Sequence, residues 1–249
     1  QYVDADGNNV RPVIVNICNF NAPTAEKPSL LTIDQVETAF HEFGHALHGL
    51  LSQCSYKGVS GTNVKRDFVE LPSQINENWA FEKEVLATYA FHWQTGELIP
   101  DELVDRIAAA SNFNQGFTTG ELCAASILDM KWHELSSVEG IDVAEFEKKC
   151  CEEMGLIGEI IPRYRSTYFN HIFGGSGYSA GYYSYLWAEV LDKDAFELFK
   201  AKGVFDREAA MSFRHNILEK GGSEEPMVLY RRFRGADPDA GALLRARGL

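Results

Sequence analysis

Residues 39–50 read AFHEFGHALHGL and carry three histidines and a glutamate within an otherwise apolar stretch. His41 and His45 are four positions apart, which places both side chains on one side of a helix. Glu42 follows His41 directly, so the run fits H-E-x-x-H, in which two imidazoles hold zinc and the glutamate activates a water on the metal. The alternative is a pair of core histidines, and a helical context favours the metal site over it.

The residues around this motif independently predict a helix. Thr32 and Gln35 form a T-x-x-Q capping box, and Leu31 with Val36 fits a hydrophobic staple around it. Apolar residues then recur at helical spacing and predict a buried stripe. The stripe consists of Val36, Ala39, Phe40, Phe43, Leu47, Leu50 and Leu51.

A catalytic zinc site needs a third protein ligand and one open position. His48 would lie about 10.5 Å from His41 along a helix axis, too far for both to bind one zinc. We therefore expect His48 to pack or to support the ligands. The downstream candidates are the carboxylates Asp67, Glu70 and Glu77, and periodicity does not choose among them.

The composition is typical of a soluble globular protein of 249 residues, with 45% hydrophobic and 24% charged residues. A net charge of -13 argues against nucleic acid or anionic membrane surfaces as partners. No apolar run reaches the roughly 18 residues that a bilayer requires. The five cysteines are irregularly spaced, which indicates a reducing compartment, and we expect a cytoplasmic protein.

The N-terminal residues predict a small β-hairpin. Asp6-Gly7 supplies turn chemistry, and Val13 to Phe20 are rich in β-branched residues. A strand at these residues would either offer an edge to an extended peptide or take part in ordinary sheet pairing.

Helical patterns dominate the rest of the chain, and no linker or repeat interrupts them, so the sequence predicts one domain over residues 1–249. A long helix is expected from Asp67 to Gly96, with Pro72 kinking it or delaying its start. Further helices are predicted in PDELVDRIAAASNF, GELCAASILDMKWHEL, VAEFEKKCCEEMG, GYYSYLWAEVLDKDAFELFKAKG and REAAMSFRHNILEKGG.

The zinc motif and the segment after it together resemble a known family. HEFGHALH followed by DFVELPSQINENW is similar to the zinc peptidases related to thimet oligopeptidase and oligopeptidase A. In that family the third zinc ligand is the glutamate of an E-x-P-S-Q element. The resemblance assigns this role to Glu70, 25 positions after His45. It implies a mainly α, zincin-like catalytic domain with one zinc ion per chain.

Within the family, SGTNVKRDFVELPSQINENWA is more similar to the bacterial peptidyl-dipeptidases, or dipeptidyl carboxypeptidases, than to the endopeptidase branch. The resemblance runs from RPVIVNICNF to the final RARGL, and the chain opens on Gln1 rather than on methionine. Family members are longer and have a large helical portion before the zinc helix. We therefore expect a C-terminal catalytic part whose partner, the upstream helical portion, supplies a missing wall of the substrate channel.

A second unusual stretch is HIFGGSGYSAGYYSYLW, residues 171–187, which we name the tyrosine segment. Gly175, Gly177 and Ala180 match the dinucleotide pattern G-x-G-x-x-A. The polar residues before this pattern make a poor buried strand, so the context that nucleotide binding requires is not predicted.

Three tyrosines of this segment are spaced by four and three residues. Tyr178, Tyr182 and Tyr185 would share one face if a helix began that early, and core packing is their alternative role. The resemblance implies instead that His171 and these tyrosines bind the substrate carbonyl and stabilise the oxyanion. Gly175 would let the substrate backbone approach closely.

Together these assignments predict zinc-dependent hydrolysis of short peptides with release of C-terminal dipeptides. Glu42 would take the proton of the attacking water, while Tyr182 and Tyr185 would donate to the oxyanion. Arg163 and Arg165 are chemically suited to capture the free carboxylate, and surface solvation is their alternative role. Two other functions stay open: endopeptidase cleavage as in oligopeptidase A, and a zinc-binding but inactive peptide-binding half-domain.

Overall fold

The computed structural model describes residues 1–248, and Leu249, the last residue of the predicted domain, lies outside the described residues. The fold is mainly α-helical with one small antiparallel sheet, as predicted, in which β1 (Tyr2–Val3) pairs with β2 (Asn9–Val10). None of the described helices combines the length and apolar character needed to cross a membrane. The helices are α1 (Ile33–Leu51), α2 (Arg66–Val69), α3 (Leu71–Glu77), α4 (Lys83–Tyr89), α5 (Asp101–Ala110), α6 (Gln115–His133), α7 (Val143–Glu153), α8 (Asn170–Phe173), α9 (Ser184–Lys202), α10 (Arg207–Phe213), α11 (Pro226–Arg234) and α12 (Ala240–Ala246).

The described chain divides into two compact units. The first contains Gln1–Asn112 and the described residues from Ala188 onward, and the second contains Phe113–Trp187. Among the described residues, one buried apolar cluster lies in the first unit and two lie in the second. A single catalytic domain over residues 1–249 stays a prediction.

The core of the first unit is built around aromatic contacts. The Trp79 ring lies edge-on to Phe196 and Phe199, with centroid distances of 4.7 Å to each, and its Nε1 donates to the carbonyl of Val204 at 2.8 Å. These contacts anchor the segment that follows α3, and α3 in turn begins next to Glu70. The other large side chains fully buried in this core are Phe68, Leu71, Ile75, Leu191, Ile217, Leu229 and Tyr230.

The N-terminal hairpin is shorter than the sequence predicts. Its turn is confirmed: Gly7 adopts φ +83°, and Asp4 Oδ1 accepts a hydrogen bond from the Asp6 amide at 3.0 Å. The strand predicted at Val13 to Phe20 is wrong, because these described residues have no regular secondary structure and the side chain of Val13 is 91% exposed. β-Branched residues favour a strand only where a neighbouring strand supplies pairing and packing.

The long helix predicted from Asp67 to Gly96 is broken into shorter pieces. α2 ends at Val69 and α3 starts at Leu71, with a 3₁₀ turn at Asn78–Phe81 before α4. Pro72 occupies the first turn of α3, where its missing N–H would have no helical partner anyway. Helical residues therefore begin at Arg66 and the interruption lies at Glu70, so the segment shows neither a single kinked helix nor a later start.

Helix α1 buries a different face from the predicted apolar stripe. Gly44 and His48 are buried, whereas Phe43 is 49% exposed and Leu50 is also exposed, so the prediction is wrong for both. A Cβ added at Gly44 would lie 2.3 Å from the carbonyl oxygen of Pro72. The missing side chain therefore allows the backbone of α3 to lie directly against α1.

Candidate metal centre and tyrosine segment

Helix α1 begins at the predicted capping box. Thr32 Oγ1 accepts from the Gln35 amide at 3.3 Å, and the Thr32 amide donates to Gln35 Oε1 at 3.1 Å. The helix then runs without interruption through H-E-x-x-H. The rings of His41 and His45 lie side by side with centroids 5.0 Å apart and planes at 86°.

Glu70, at the junction of α2 and α3, completes a group of three potential ligands. Its Oε2 lies 3.1 Å from His45 Nε2 and 3.4 Å from His41 Nε2. One potential ligand atom from each residue lies within 4.8 Å of the other two. Among the described residues, Asp67 and Glu77 are not members of this group.

Hydrogen bonds from α3 hold this arrangement. Ser73 Oγ donates to Glu70 Oε2 at 2.9 Å, and Glu70 is buried. Asn76 Nδ2 donates to the carbonyl of Phe40 at 2.6 Å, which connects α3 to α1 one residue before His41. The Glu70 carboxylate is thus oriented by Ser73 of α3, and the close approach of α3 to α1 at Gly44 places it next to the histidines.

The electrostatics of the group favour a cation. Burial opposes the charge on Glu70, but hydrogen bonds with His41 and His45 outweigh it and hold the pKa of the carboxyl well below its usual range. Burial likewise lowers the pKa of His41, yet hydrogen bonds with Glu70 and Glu77 raise it to about 10. Positive charge is therefore stabilised between the rings and the carboxylate, and a divalent cation would supply it.

Glu77 contacts His41 from the side away from Glu70. Its Oε1 lies 2.5 Å from His41 Nδ1. With Nδ1–H donating to this carboxylate, Nε2 is the nitrogen that faces Glu70, and it would offer a lone pair to a metal ion that replaces its proton. The sequence identifies Glu77 only as a rival ligand, because helical spacing carries no signal for a contact between α3 and α1.

Two other side chains of α1 lie next to the potential ligands. Glu42 is half-buried beside His41. His48 is fully buried, and neither of its ring nitrogens has a hydrogen-bond partner among the described residues. Burial, with a smaller contribution from His45, lowers the pKa of His48 to about 3. The His48 ring is therefore neutral, and it lies outside the group of potential ligands.

In the second unit, the tyrosine segment gathers its predicted residues into one aromatic cluster. Tyr182 is 4% exposed and lies edge-on to His171 and Tyr185, with centroid distances of 5.6 and 5.2 Å. Tyr178 stacks on Tyr185 at 5.4 Å with planes only 5° apart. The structure thus brings His171 and the three tyrosines together.

The condition under which the three tyrosines would share a helical face, an early start of the helix, is not met. Helix α9 begins at Ser184, so Tyr185 is helical while Tyr178 and Tyr182 precede the helix. Ala180 adopts φ +53°, a left-handed conformation that interrupts any helix. The left-handed backbone at Ala180 therefore prevents the early helix that the spacing of the three tyrosines would suit.

Gly175 lies in the exposed part of the tyrosine segment. A Cβ added there would meet no heavy atom of the described chain within 4 Å. The residues before it form a 3₁₀ turn at Ser166–Tyr168 and then α8, so the strand that a dinucleotide site requires does not precede Gly175.

Comparison with known proteins identifies the family to which this chain belongs. The sequence pattern of peptidase family M3 matches residues 3–249. The chain belongs to peptidase family M3. The resemblance predicted from HEFGHALH and DFVELPSQINENW is confirmed.

Proteins similar to this M3 chain include peptidases of two activities. It is 49% identical to dipeptidyl carboxypeptidase of Escherichia coli over 245 residues, which cover 97% of this chain and 36% of that protein. It is 43% identical to oligopeptidase A of Salmonella typhimurium over 247 residues, or 98% of this chain and 36% of that protein. Against thimet-like oligopeptidase of Dictyostelium discoideum, identity is 35% over 250 residues, or 100% of this chain and 37% of that protein. The chain thus spans little more than a third of the length of these relatives.

Tyr164 is a member of the aromatic cluster of this M3 chain that sequence reasoning missed. Its ring stacks on Phe169 at 4.8 Å and lies edge-on to Tyr182 at 6.0 Å. Burial above all, and then the nearby Tyr164, raise the pKa of Tyr182. The Tyr182 phenol therefore stays protonated and keeps a proton to donate.

The two arginines of this M3 chain that are suited to a carboxylate differ in their surroundings. Arg165 Nε donates to the buried carboxylate of Glu147. The side chain of Arg163 is 52% exposed, with Nη1 at 3.8 Å from Glu121 Oε2 and the guanidinium 5.4 Å from the centre of the Tyr164 ring. Arg163 is therefore the more accessible of the two to an incoming anion.

Proposed function

We propose that this chain is the zinc-binding catalytic part of a peptidase that releases dipeptides from the C-termini of short peptides. The observation that carries the proposal is the convergence of His41, His45 and Glu70, whose potential ligand atoms lie within 4.8 Å of one another next to Glu42. Two imidazole nitrogens and one carboxylate oxygen form a donor set typical of catalytic zinc, which leaves a fourth position open.

The residues around the potential ligands are proposed to have two kinds of role, proton transfer and orientation of a ligand ring. A zinc ion held by His41, His45 and Glu70 would supply Lewis acidity to the reaction. Glu42 accepts the proton of the attacking water and passes it to the leaving amine. Glu77 holds the His41 ring with Nε2 directed toward the metal position.

The tyrosine segment is proposed to act on the charge that develops on the substrate. Tyr182 and Tyr185, with His171, donate hydrogen bonds to the oxyanion, while Tyr178 and Gly175 contact the substrate backbone. Membership of family M3 and the gathering of the four aromatic side chains in one cluster support these roles. Removing one such donor typically costs on the order of 10²–10³ in rate.

Release of dipeptides is favoured over internal cleavage by the higher identity to dipeptidyl carboxypeptidase, 49% against 43% for oligopeptidase A. This activity requires a cation that receives the free carboxylate of the substrate. Arg163 is proposed for this role because its guanidinium is accessible while that of Arg165 is bound to Glu147.

We also propose that the full-length protein contains an upstream helical portion that acts with this chain. The support is that similar M3 proteins are longer, since this chain covers 36% of the Escherichia coli relative. A more enclosed site excludes water and strengthens hydrogen bonds to developing charge. The isolated 249-residue chain should therefore bind zinc yet turn over peptides more slowly than the full-length protein.

A blocked peptide with a fluorophore on its C-terminal dipeptide tests the proposal in the zinc-loaded full-length protein. Release of the labelled dipeptide alone is the expected result. Internal fragments instead would indicate an endopeptidase like oligopeptidase A. Stoichiometric zinc without any cleavage would overturn the catalytic proposal and leave a peptide-binding module.

A further inference from the structure

Asp129 of α6 is a fully buried carboxylate that takes no part in the proposed chemistry. Its Oδ1 accepts a hydrogen bond from the amide of Ala180 at 3.0 Å, and its Oδ2 accepts one from the amide of Tyr182 at 2.9 Å. Aspartate is almost never fully buried unless its charge is compensated by such bonds. Both oxygens of Asp129 therefore bind the backbone of the tyrosine segment.

His133, one turn further along α6, is a third partner of this carboxylate. Its Nδ1 lies 2.8 Å from Asp129 Oδ1 and 2.9 Å from the Asp129 carbonyl oxygen. The imidazole is also stacked against Phe173 of α8, with ring centroids 6.0 Å apart and planes at 27°. With Nδ1–H as donor, this ring holds the carboxylate in one orientation.

The backbone that Asp129 binds is strained. Ala180 adopts φ +53°, a conformation that residues with a Cβ rarely occupy and that persists only where the surroundings impose it. Amide groups next to a left-handed residue can form a concave site for an anion. In this chain the anion is supplied internally by Asp129.

The position of the Tyr182 backbone determines the placement of the cluster. The Tyr182 ring lies edge-on to Tyr185 at 5.2 Å, and the Tyr185 ring stacks on Tyr178 at 5.4 Å. A shift of the Tyr182 amide away from Asp129 would therefore displace the packing surface of Tyr185 and, through it, of Tyr178.

We propose that Asp129 is a positioning residue: its carboxylate holds Ala180 and Tyr182 in the backbone conformation that presents the phenols of Tyr182 and Tyr185 to the substrate. The inference rests on the oxyanion role proposed for these tyrosines. Asp129 acts through the backbone of the segment and does not itself contact the substrate.

Amide hydrogen exchange in the wild-type full-length protein gives a first test that needs no variant. The amides of Ala180 and Tyr182 should exchange more slowly than those of the exposed residues Gly175 and Gly177. Equal rates at the four positions would overturn the inference.

The second test is Asp129→Asn, which keeps the shape of the side chain but replaces one acceptor oxygen with a donor. Loss of a hydrogen bond to a charged group should accelerate exchange at Ala180 and Tyr182 by roughly tenfold or more. Exchange in the rest of α6, Gln115–His133, should stay unchanged. Because small displacements of catalytic groups are costly, kcat should fall by up to about 10²-fold, with KM and zinc content nearly unchanged.

Asp142→Asn is the matched control. Asp142 caps α7 in the same unit, and its Oδ1 accepts from the amides of Ala144 and Glu145 at 2.9 and 3.0 Å. This substitution removes the same carboxylate charge away from the tyrosine segment, and the asparagine still offers an oxygen to the two amides. It should leave kcat and exchange at Tyr182 as they are in the wild type.

The outcomes separate the inference from the proposed function. Unchanged exchange at Tyr182 in Asp129→Asn, or acceleration throughout α6, would overturn the positioning role. Acceleration confined to the segment with kcat unchanged would instead overturn the oxyanion role proposed for Tyr182 and Tyr185. If Asp129→Asn does not fold, equal wild-type exchange rates at the four positions would still overturn the inference.

Discussion

His41 Nδ1 and Glu77 Oε1 lie 2.5 Å apart, so the first histidine of the zinc motif is held by a carboxylate that the sequence identifies only as a rival ligand. A carboxylate in this place fixes the tautomer and the orientation of a metal-binding imidazole and raises its basicity. Glu70 and Glu77 thus contact opposite nitrogens of His41.

Glu77→Ala should lower zinc affinity by about 10–100-fold, because His41 would lose the partner that orients it. Glu77→Gln should have a smaller effect, since its amide oxygen still accepts from Nδ1. Competition with a chelating indicator measures the affinity. Glu84→Gln, at an exposed position of α4, is the control. An affinity of Glu77→Ala equal to that of the wild type would contradict the orienting role.

Glu42→Gln should retain one zinc per chain and lose activity on the order of 10²–10⁴-fold, since an amide cannot act as a general base. Metal content and peptide turnover are to be measured on the same preparation. Asp34→Asn, at an exposed position of the same helix, should change neither. Substantial turnover by zinc-loaded Glu42→Gln would show that another group takes the proton.

Gly44→Ala should destabilise the protein by about 1–3 kcal/mol, because the new methyl group would lie 2.3 Å from the Pro72 carbonyl oxygen and force α1 and α3 apart. Zinc affinity should fall with stability, since Glu70 precedes α3. Gly120→Ala is the matched control: a Cβ there meets no heavy atom within 4 Å, and the substitution should stabilise α6 by roughly 0.5–1 kcal/mol. Urea titrations that rank the two variants in the opposite order would exclude the close helix contact.

Asp192 should make stability depend on pH. Its side chain is fully buried. Asp192 Oδ1 accepts a hydrogen bond from Asn78 Nδ2 at 2.9 Å and lies 3.0 Å from Lys193 Nζ. Burial, only partly opposed by Lys193, raises the pKa of the Asp192 carboxyl from 3.8 to about 6. A raised pKa stabilises the folded state below the unfolded pKa, and this stabilisation is lost as the pH rises through the folded pKa.

Relative to Asp192→Asn, the wild-type free energy of unfolding should therefore fall by roughly 3 kcal/mol between about pH 4 and pH 7. Urea denaturation across this range measures the difference. Asp101→Asn, at an exposed position, should parallel the wild type. A constant difference between wild type and Asp192→Asn at every pH would contradict the raised pKa.

If Tyr185 donates to the oxyanion as proposed, Tyr185→Phe in the full-length protein should lower kcat on the order of 10²–10³-fold and leave KM almost unchanged, because that hydrogen bond would form only as charge develops. Steady-state kinetics with the labelled peptide measure both constants. Tyr168→Phe, an exposed phenol of the same unit, should have wild-type kinetics. Lower thermal stability with unchanged turnover per folded molecule would mark Tyr185 as a packing residue only.

The sequence by itself determined the features that depend on neighbours within a few positions. The capping box at Thr32 and Gln35 and the helical spacing of His41 and His45 are set by local backbone geometry, and the structure contains both. The turn at Asp6-Gly7 is local in the same sense. Periodicity alone did not choose among Asp67, Glu70 and Glu77 as the third potential ligand. The resemblance to family M3 selected Glu70.

Tertiary structure decided everything that depends on contacts distant along the chain. Glu70 faces the histidines because Gly44, which has no side chain, lets α3 lie directly against α1. Hydrophobic periodicity cannot predict this contact, because it depends on the positions of apolar side chains and Gly44 has none. Val13 to Phe20 have strand composition but no strand partner among the described residues. Tyr178 and Tyr182 lie outside α9, in a segment where Ala180 is left-handed and its amide donates to the distant Asp129. Local propensity contributes a few tenths of a kcal/mol to about 1 kcal/mol per residue, so a buried contact with a distant part of the chain can override it.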